Sequence, residues 1–218
     1  MTDKDLPAVF KVLRSEFKRF KIPAVTVVSV STRDPYMVLV SCIISLRTKD
    51  EVTADASRRL FERAKTVEAM VELSEAKIAE LIYPAGFYKT KSKTILEASK
   101  VILKDYDGIV PNDVDELTKL KGVGRKTANL VVTLGYGKPG ICVDTHVHRI
   151  TNHWGYVNTP TPDKTEVALR EKLPKKYWIP INDLLVAYGQ NLCKPVSPFC
   201  SECKIYEYCE RVGVGRSR

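Results

Sequence analysis

The sequence lacks any apolar stretch long enough to cross a bilayer. Its longest apolar run, Tyr36 to Leu46, is too short to span a membrane and predicts a buried helix instead. The N-terminal residues also show no signal-peptide pattern. These absences argue against membrane and secreted proteins, and we expect a soluble, intracellular protein located in the cytoplasm.

Acidic residues are too few to balance the basic ones. The chain has 218 residues, with 35 Lys and Arg against 26 Asp and Glu, a net charge of +9 and a pI near 9.2. Such an excess favours a polyanionic partner such as a nucleic acid, although a generally basic surface gives the same numbers. The length is enough for one large or two small domains with a real core.

No pair of strands can be found, and the patterns are helical. The β-branched run Val25 to Val30 is a lone extended candidate, so we interpret it as a connection. The first helix should end at Ile22-Pro23, and Asp50 and Ser74 are suitable N-caps. We predict an all-α fold with helices over 5–20, 36–46, 50–64, 66–73, 74–82, 89–106, 111–120, 144–154, 162–173 and 181–191.

A glycine hairpin lies at the centre of the chain, in LKGVGRKTANLVV. Gly122 and Gly124 flank Val123, and a helical pattern follows at once. A glycine turn that opens a helix points backbone N–H groups at an anion, and phosphate is the usual one. Lys121 and Arg125 add positive charge to the turn. The alternative is a plain connection between two helices.

Two residues near the hairpin could perform chemistry. Lys126 falls in the first turn of the predicted helix, where the helix dipole disfavours an ammonium ion and favours the neutral, nucleophilic amine. Asp144 stands at the start of a later helix, where its carboxylate could be catalytic or only an N-cap. His146 and His148 are two residues apart, on different helix faces, and predict structural roles.

Four of the six cysteines form the pattern C-x6-C-x2-C-x5-C. They are Cys193, Cys200, Cys203 and Cys209, and disulfides are not expected inside a cell. Structural zinc usually takes two close cysteine pairs, whereas a 4Fe–4S cluster accepts one CxxC and two outlying thiolates. The spacing therefore favours the cluster over zinc. No flavin or nicotinamide fingerprint accompanies it, so a structural clamp that shapes a basic loop, including Lys194, is the favoured role. Cys42 and Cys142 should be inert core residues.

The hairpin, VDTH and the cysteine pattern, in this order, resemble the endonuclease III family of helix–hairpin–helix DNA glycosylases. The resemblance implies a six-helix barrel-like domain over 28–138, and a second helical domain built from 1–27 and 139–218 that holds the 4Fe–4S cluster. It implies that double-stranded DNA with damaged pyrimidines or abasic sites binds between the domains. We expect a monomer without a membrane partner.

The implied activity is removal of oxidised pyrimidines followed by cleavage of the abasic strand by β-elimination. Lys126 matches the family's Schiff-base lysine, and Asp144 its catalytic aspartate. Arg47 stands where the family commonly has a glutamine that fills the gap left by the flipped nucleotide, which leaves the opposite-base preference open. Phe87 matches an apolar wedge, or else is a core aromatic. The alternatives are a monofunctional mismatch glycosylase and a non-catalytic iron–sulfur DNA-binding module.

Overall fold

The computed structural model describes residues 1–20 and 23–218, and the regular secondary structure of this part of the chain is entirely helical. The all-α prediction is confirmed. The chain divides into two compact units: Met1–Pro23 with Ile141–Arg218, and Ala24–Gly140. The junctions therefore lie at 23/24 and 140/141, where the resemblance placed them at 27/28 and 138/139. No helix of the described residues combines the length and the apolar character needed to cross a bilayer.

The unit Ala24–Gly140 contains eight α-helices and one π-helical segment. These are α2 (Ala24–Thr32), α3 (Pro35–Ser45), α4 (Asp50–Arg63), α5 (Val67–Val71), α6 (Glu75–Ile82), α7 (Tyr88–Asp105), α8 (Val114–Lys119), α9 (Arg125–Leu130) and the π-helical turn Val131–Gly135. Helix α3 is its centre, with every residue from Tyr36 to Ile44 buried. The prediction of a buried helix there is confirmed. A helix that is apolar on every face is stable only when it is packed on every side.

The prediction for Val25 to Val30 was wrong, since these residues lie within helix α2. The helix packs against α3 and buries Ala24, Val25 and Ser29. The Ser29 hydroxyl donates to the carbonyl of Leu134 at 2.7 Å. Tertiary packing of this kind outweighs the weak preference of β-branched residues for strands.

The role predicted for Asp50 was also wrong. Lys49 is the N-cap of α4, and Asp50 is the first helical residue. Its carboxylate accepts a hydrogen bond from the backbone N–H of Ala24, at 3.2 Å, so it supports the start of α2 instead. Ser74 caps α6 as predicted, by accepting from the backbone N–H of Lys77.

The other unit contains α1 (Leu6–Phe17), α10 (Thr145–His153), α11 (Pro162–Lys172) and α12 (Trp178–Asn191), with short 3₁₀ turns at Lys175–Tyr177, Cys200–Glu202 and Tyr206–Tyr208. Helix α1 starts one residue later and ends three residues earlier than predicted, and Ile22, where we placed its end, lies outside the described residues. Its apolar face packs against α12 and the 3₁₀ turn before it. The rings of Phe10 and Tyr177 stack with centroids 4.1 Å apart.

Candidate DNA-binding and catalytic residues

The predicted hairpin is present as the connection between α8 and α9. Asp113 caps α8, and the backbone N–H of Val123 donates to the carbonyl of Leu120 at 3.0 Å, which closes the turn. Gly122 has φ +81°, and a Cβ there would lie 2.7 Å from the Thr94 methyl group. Both the backbone angle and the neighbour therefore require glycine at this position.

The three residues of the turn differ in their exposure to solvent. Val123 is buried and anchors the turn in its own unit, whereas Gly122 and Gly124 are exposed. Gly124 is the N-cap of α9, and its carbonyl accepts from the N–H of Ala128 at 2.9 Å. The turn thus presents backbone to solvent at the start of a helix.

Two basic side chains flank this turn and are exposed. Lys121 pairs with Glu97 at 3.4 Å, with 78% of its side chain exposed, and Arg125 pairs with Asp115 at 3.6 Å. Exposed pairs of this kind contribute little to folding. Both cations can therefore exchange a carboxylate for a phosphate at small cost.

Lys126 is the second residue of α9 and is exposed at the surface of the unit Ala24–Gly140. The charge of Lys126 also affects a buried cysteine of the same unit. Burial raises the pKa of the Cys42 thiol to about 12, and the positive charge of Lys126 opposes that rise. The predicted burial of Cys42 and Cys142 is confirmed, with exposures of 1% and 2%.

Asp144 belongs to the other unit and caps α10. Its Oδ1 accepts hydrogen bonds from the backbone N–H groups of His146 and Val147, at 2.8 and 2.9 Å. The simpler of the two predicted roles, an N-cap, is therefore present. These bonds fix the orientation of a carboxylate that is 9% exposed, and a fixed orientation is also what a catalytic carboxylate needs.

His146 and His148 of α10 make contacts within their own unit. The Nδ1 atom of His148 lies 2.7 Å from the Thr165 hydroxyl, and Nδ1 of His146 lies 3.2 Å from Nη2 of Arg149. These contacts agree with the structural roles predicted for both.

Arg47 and Phe87, which come from separate parts of the sequence, lie together. The guanidinium carbon of Arg47 is 5.6 Å from the centroid of the Phe87 ring. Phe87 is 62% exposed, so the interpretation as a core aromatic is wrong. Both residues have left-handed backbone, with φ 52° and 57°. A bulky residue rarely adopts this conformation unless its surroundings impose it.

Sequence reasoning missed a residue that supports this pair. Lys91 is 5% exposed, and its ammonium donates to the carbonyls of Ile44 and Leu46 at 2.6 Å and to the Thr48 hydroxyl at 2.7 Å. A signal was present in the sequence: Lys91 falls four residues before Ile95, on the inward face of α7. A lysine on an apolar face is rare unless its charge is satisfied.

The four patterned cysteines line one cavity. Ile150, Trp154 and Tyr188 contribute to its wall, and the Tyr188 hydroxyl lies 3.2 Å from the Cys203 sulfur. Burial raises the pKa of the Cys193 thiol to about 11, which the Arg149 charge opposes and the other three cysteines reinforce. Four thiols at one cavity form a soft donor set. Among the described residues, no group of three or more His, Cys, Asp or Glu side chains is arranged to hold a metal ion.

Basic side chains surround this cysteine loop. The ammonium of Lys194 lies 5.2 Å from the centroid of the Phe199 ring, and the Arg218 guanidinium carbon lies 4.4 Å from the same centroid. The Lys204 ammonium pairs at 2.6 Å with Glu16 of α1, whose side chain is buried. The loop is therefore tied to the first helix of its unit.

Comparison with known proteins identifies the family. The model of the HhH-GPD superfamily of base excision DNA repair proteins matches residues 40–175. Endonuclease III of Thermotoga maritima is 45% identical over 188 residues, which cover 85% of this chain and 88% of that protein. The chain belongs to the endonuclease III family. The resemblance seen in the sequence is thereby confirmed.

Solved structures of endonuclease III agree over nearly the whole chain. A non-covalent endonuclease III–DNA complex matches with a TM-score of 0.84 and 28% identity, over 97% of this chain and 96% of that one. A trapped covalent endonuclease III–DNA intermediate matches with the same TM-score, over 97% of each chain. Membership of the endonuclease III family makes the protein a base-excision repair enzyme, a DNA glycosylase and abasic-site lyase.

Proposed function

We propose that this enzyme removes oxidised pyrimidines from double-stranded DNA with Lys126 as its nucleophile, and then cleaves the strand at the abasic sugar. The observation that carries the assignment is the exposed amine of Lys126 in the first turn of the hairpin helix. A monofunctional glycosylase or a passive DNA-binding module would need the hairpin but not this amine. As an enzyme of chromosomal DNA it would act in the cytoplasm, at the nucleoid in a prokaryote.

The neutral amine of Lys126 attacks the anomeric carbon of the damaged nucleotide. A C–N bond forms as the glycosidic bond breaks, and the base leaves with its bonding electrons and takes up a proton. The sugar ring opens to an imine on Lys126. The imine acidifies the adjacent carbon, so loss of a proton there expels the 3′ phosphate by β-elimination. Water then releases the lysine.

Asp144 supplies a carboxylate to the same reaction. Positive charge develops on the sugar as the base departs, and an ionised, fixed carboxylate stabilises that charge or relays protons. The bonds from the N–H groups of His146 and Val147 hold the carboxylate in one orientation. The capping and catalytic roles of Asp144 are therefore compatible.

The hairpin holds the DNA by its backbone. Backbone N–H groups at Gly122, Val123 and Gly124 would meet one phosphate, while Lys121 and Arg125 supply charge. Contacts of this kind position the duplex without reading its sequence. They also make the affinity fall steeply as salt rises.

Arg47 and Phe87 act where the damaged base leaves the stack. The exposed Phe87 ring enters the duplex as an apolar wedge, and the Arg47 side chain fills the gap and contacts the orphan base. The cation–π contact between them and the left-handed backbone that both adopt support the proposal that the two residues act together. Extrusion is needed because the anomeric carbon cannot be attacked inside an intact stack.

The cysteines Cys193, Cys200, Cys203 and Cys209 would hold a 4Fe–4S cluster. The four thiols line one partly buried cavity, and a cluster would bind each of them to a different iron, so they need not converge on one point as they must for a single metal ion. Its binding would displace their protons and crosslink the loop. We assign it the structural role of shaping the basic loop around Lys194 for a DNA phosphate. The reaction above takes no step through it.

Lys126→Gln and Asp144→Asn test these roles on two substrates, a thymine-glycol duplex and a preformed abasic duplex. Lys126→Gln should bind DNA yet lose both the borohydride-trapped adduct and strand cleavage. Asp144→Asn keeps an attacking amine, so trapping at abasic sites should survive while base removal falls by the equivalent of about 2.7–4 kcal/mol. Normal cleavage of both duplexes by Lys126→Gln would refute the assignment.

A further inference from the structure

A buried ammonium lies behind the exposed pair of Arg47 and Phe87. The ammonium of Lys91 has three N–H donors, and its three partners are the carbonyls of Ile44 and Leu46 and the hydroxyl of Thr48. The two carbonyls belong to the C-terminal end of α3 and the residue after it, where the helix dipole favours a positive charge.

Keeping a lysine at this position is costly for the fold. Burial lowers the pKa of Lys91 to about 8, because the charged ammonium is less stable when it is removed from water. An apolar side chain on this inward face of α7 would avoid that penalty. The position of Lys91 therefore calls for an explanation beyond core packing.

The turn that Lys91 holds is the one that carries Arg47. The ammonium binds Leu46 and Thr48, on either side of it, and Arg47 between them has the unfavourable φ of 52°. A non-glycine residue in this conformation costs of order 1–3 kcal/mol and persists only when its surroundings enforce it. The three bonds from Lys91 supply such enforcement.

The same contacts reach the turn that carries Phe87. The Thr48 hydroxyl, which accepts from Lys91, also accepts from the backbone N–H of Gly86 at 3.0 Å. A Cβ on Gly86 would lie only 2.5 Å from the Arg47 carbonyl oxygen, so the two turns are in close contact. The backbone N–H of Lys91 donates to the carbonyl of Phe87 at 3.0 Å, which links the ammonium to the first turn of α7.

We propose that Lys91 is a positioning residue for base extrusion, whose ammonium locks the Arg47 and Phe87 turns into the one arrangement that enters the duplex. Lys91 itself touches no DNA. The inference rests on the proposed function, because it presumes that Arg47 and Phe87 replace an extruded nucleotide. It assigns the lock to a residue that belongs to neither the hairpin nor the catalytic pair.

The lock should matter most when a stacked base must be extruded. An intact lesion resists extrusion, whereas an abasic site has no base to unstack. Loss of the lock should therefore slow base removal more than cleavage at a preformed abasic site. A general loss of folding or of DNA binding would instead slow both steps together.

The test compares Lys91→Met, which keeps an unbranched chain of similar length, with Lys100→Met, an exposed lysine on the same helix. Single-turnover base removal from a thymine-glycol duplex should fall roughly tenfold in Lys91→Met, with cleavage of an abasic duplex within about threefold of wild type. When Lys91→Met binds a duplex with 2-aminopurine opposite the lesion, the fluorescence change should be much smaller than with the wild-type enzyme. Lys100→Met should match wild type in all three.

Variants of Thr48 keep the inference falsifiable if Lys91→Met does not fold. Thr48→Ser retains the shared hydroxyl and should preserve base removal and the 2-aminopurine signal. Thr48→Val removes the hydroxyl and should lower both, with unfolding temperature and circular dichroism confirming a folded protein.

Three results would overturn the inference. A folded Lys91→Met that keeps the wild-type rate of base removal and the wild-type fluorescence change overturns the inference. A Thr48→Val with the same base removal and fluorescence change as Thr48→Ser overturns it as well. A Lys91→Met that slows abasic cleavage as much as base removal assigns Lys91 to folding or DNA binding and overturns it too. A wild-type enzyme that gives no borohydride adduct on the abasic duplex instead refutes the proposed function, whatever the Lys91 and Thr48 variants show.

Discussion

Arg47 lies against Phe87 although 40 positions of the sequence separate them, and the guanidinium carbon is 5.6 Å from the ring centroid. The two residues end on one surface because their turns share the Thr48 hydroxyl and the close approach of Gly86 to the Arg47 carbonyl. A cation over an aromatic face at an exposed position contributes about 0.5–1 kcal/mol. The pairing is therefore maintained chiefly by the backbone of the two turns.

Replacing Phe87 by alanine should separate function from stability. The ring is 62% exposed, so the free energy of unfolding should change by no more than ~0.5 kcal/mol. Base removal from a thymine-glycol duplex should fall roughly tenfold or more, because the wedge is lost. Phe87→Leu keeps an apolar wedge and is the matched control. Unchanged single-turnover excision by Phe87→Ala would show that the ring does not enter the duplex.

Gly122→Ala should destabilise the hairpin through its backbone. The φ of +81° is disfavoured for alanine by about 1–2 kcal/mol, and the new Cβ would also meet the Thr94 methyl group. We expect the unfolding temperature to fall by about 2–8 °C. The double variant Gly122→Ala/Thr94→Ala should recover the part of the lost stability that is due to the contact between the new Cβ and the Thr94 methyl group.

Gly124→Ala is the control for that prediction. Gly124 has φ −90°, and a Cβ there meets nothing within 4 Å, so alanine should lose only the N-cap preference for glycine and lower the unfolding temperature by less than Gly122→Ala does. Equal losses of stability at Gly122 and Gly124 would show that the left-handed turn is not what selects glycine.

The ion pair of Glu16 with Lys204 should make the folded state less stable as the pH falls. The Lys204 ammonium lowers the pKa of this buried carboxyl below its ordinary value near 4.5, and Arg19 adds to that. The folded state therefore binds the proton less tightly than the unfolded chain. The stabilisation is present above pH 4.5 and disappears as the pH falls through the lowered, folded pKa.

Glu16→Gln should accordingly lose about 1 kcal/mol at pH 7, a modest value because the Lys204 partner is half-exposed. The difference from wild type should vanish in denaturant titrations carried out at acid pH. Glu62→Gln, which breaks the exposed pair with Arg58, is the control and should show little difference at either pH. A Glu16→Gln deficit that persists unchanged in acid would contradict the linkage.

The cysteine assignment predicts the metal content of the purified protein. About four iron atoms and about four acid-labile sulfides per chain are expected, with a yellow-brown colour, and Cys200→Ser should lose them and loosen the loop. Cys42→Ala, which removes a buried cysteine of the other unit, should keep the full iron content. Zinc without iron in the wild-type protein would contradict the assignment.

Features that are local in the sequence were predictable from it. The glycine hairpin, the helix that begins at Lys126's turn, the Asp144 cap and the all-apolar helix α3 follow from spacing and capping within a few residues. The bounds of the helices differ from the predicted ones by at most three residues, because helix ends depend on partners that the sequence pattern does not show.

Features that depend on distant partners were not predictable. Helix α2 has the composition of a strand, and it forms because Asp50 and Leu134 bind its polar groups. Lys91 lies on an apolar helix face, and its position makes sense only beside the carbonyls of Ile44 and Leu46. In both cases the deciding contact joins segments more than twenty residues apart.

The most direct test of the central claim is to locate the covalent bond. Borohydride reduction of the enzyme on an abasic duplex, followed by nuclease and trypsin digestion, yields a peptide that carries the sugar remnant, which mass spectrometry can place on one residue. We predict a single adduct on the ε-nitrogen of Lys126, absent from Lys126→Gln. An adduct on another lysine in the wild-type enzyme, or full trapping by Lys126→Gln, would contradict the account.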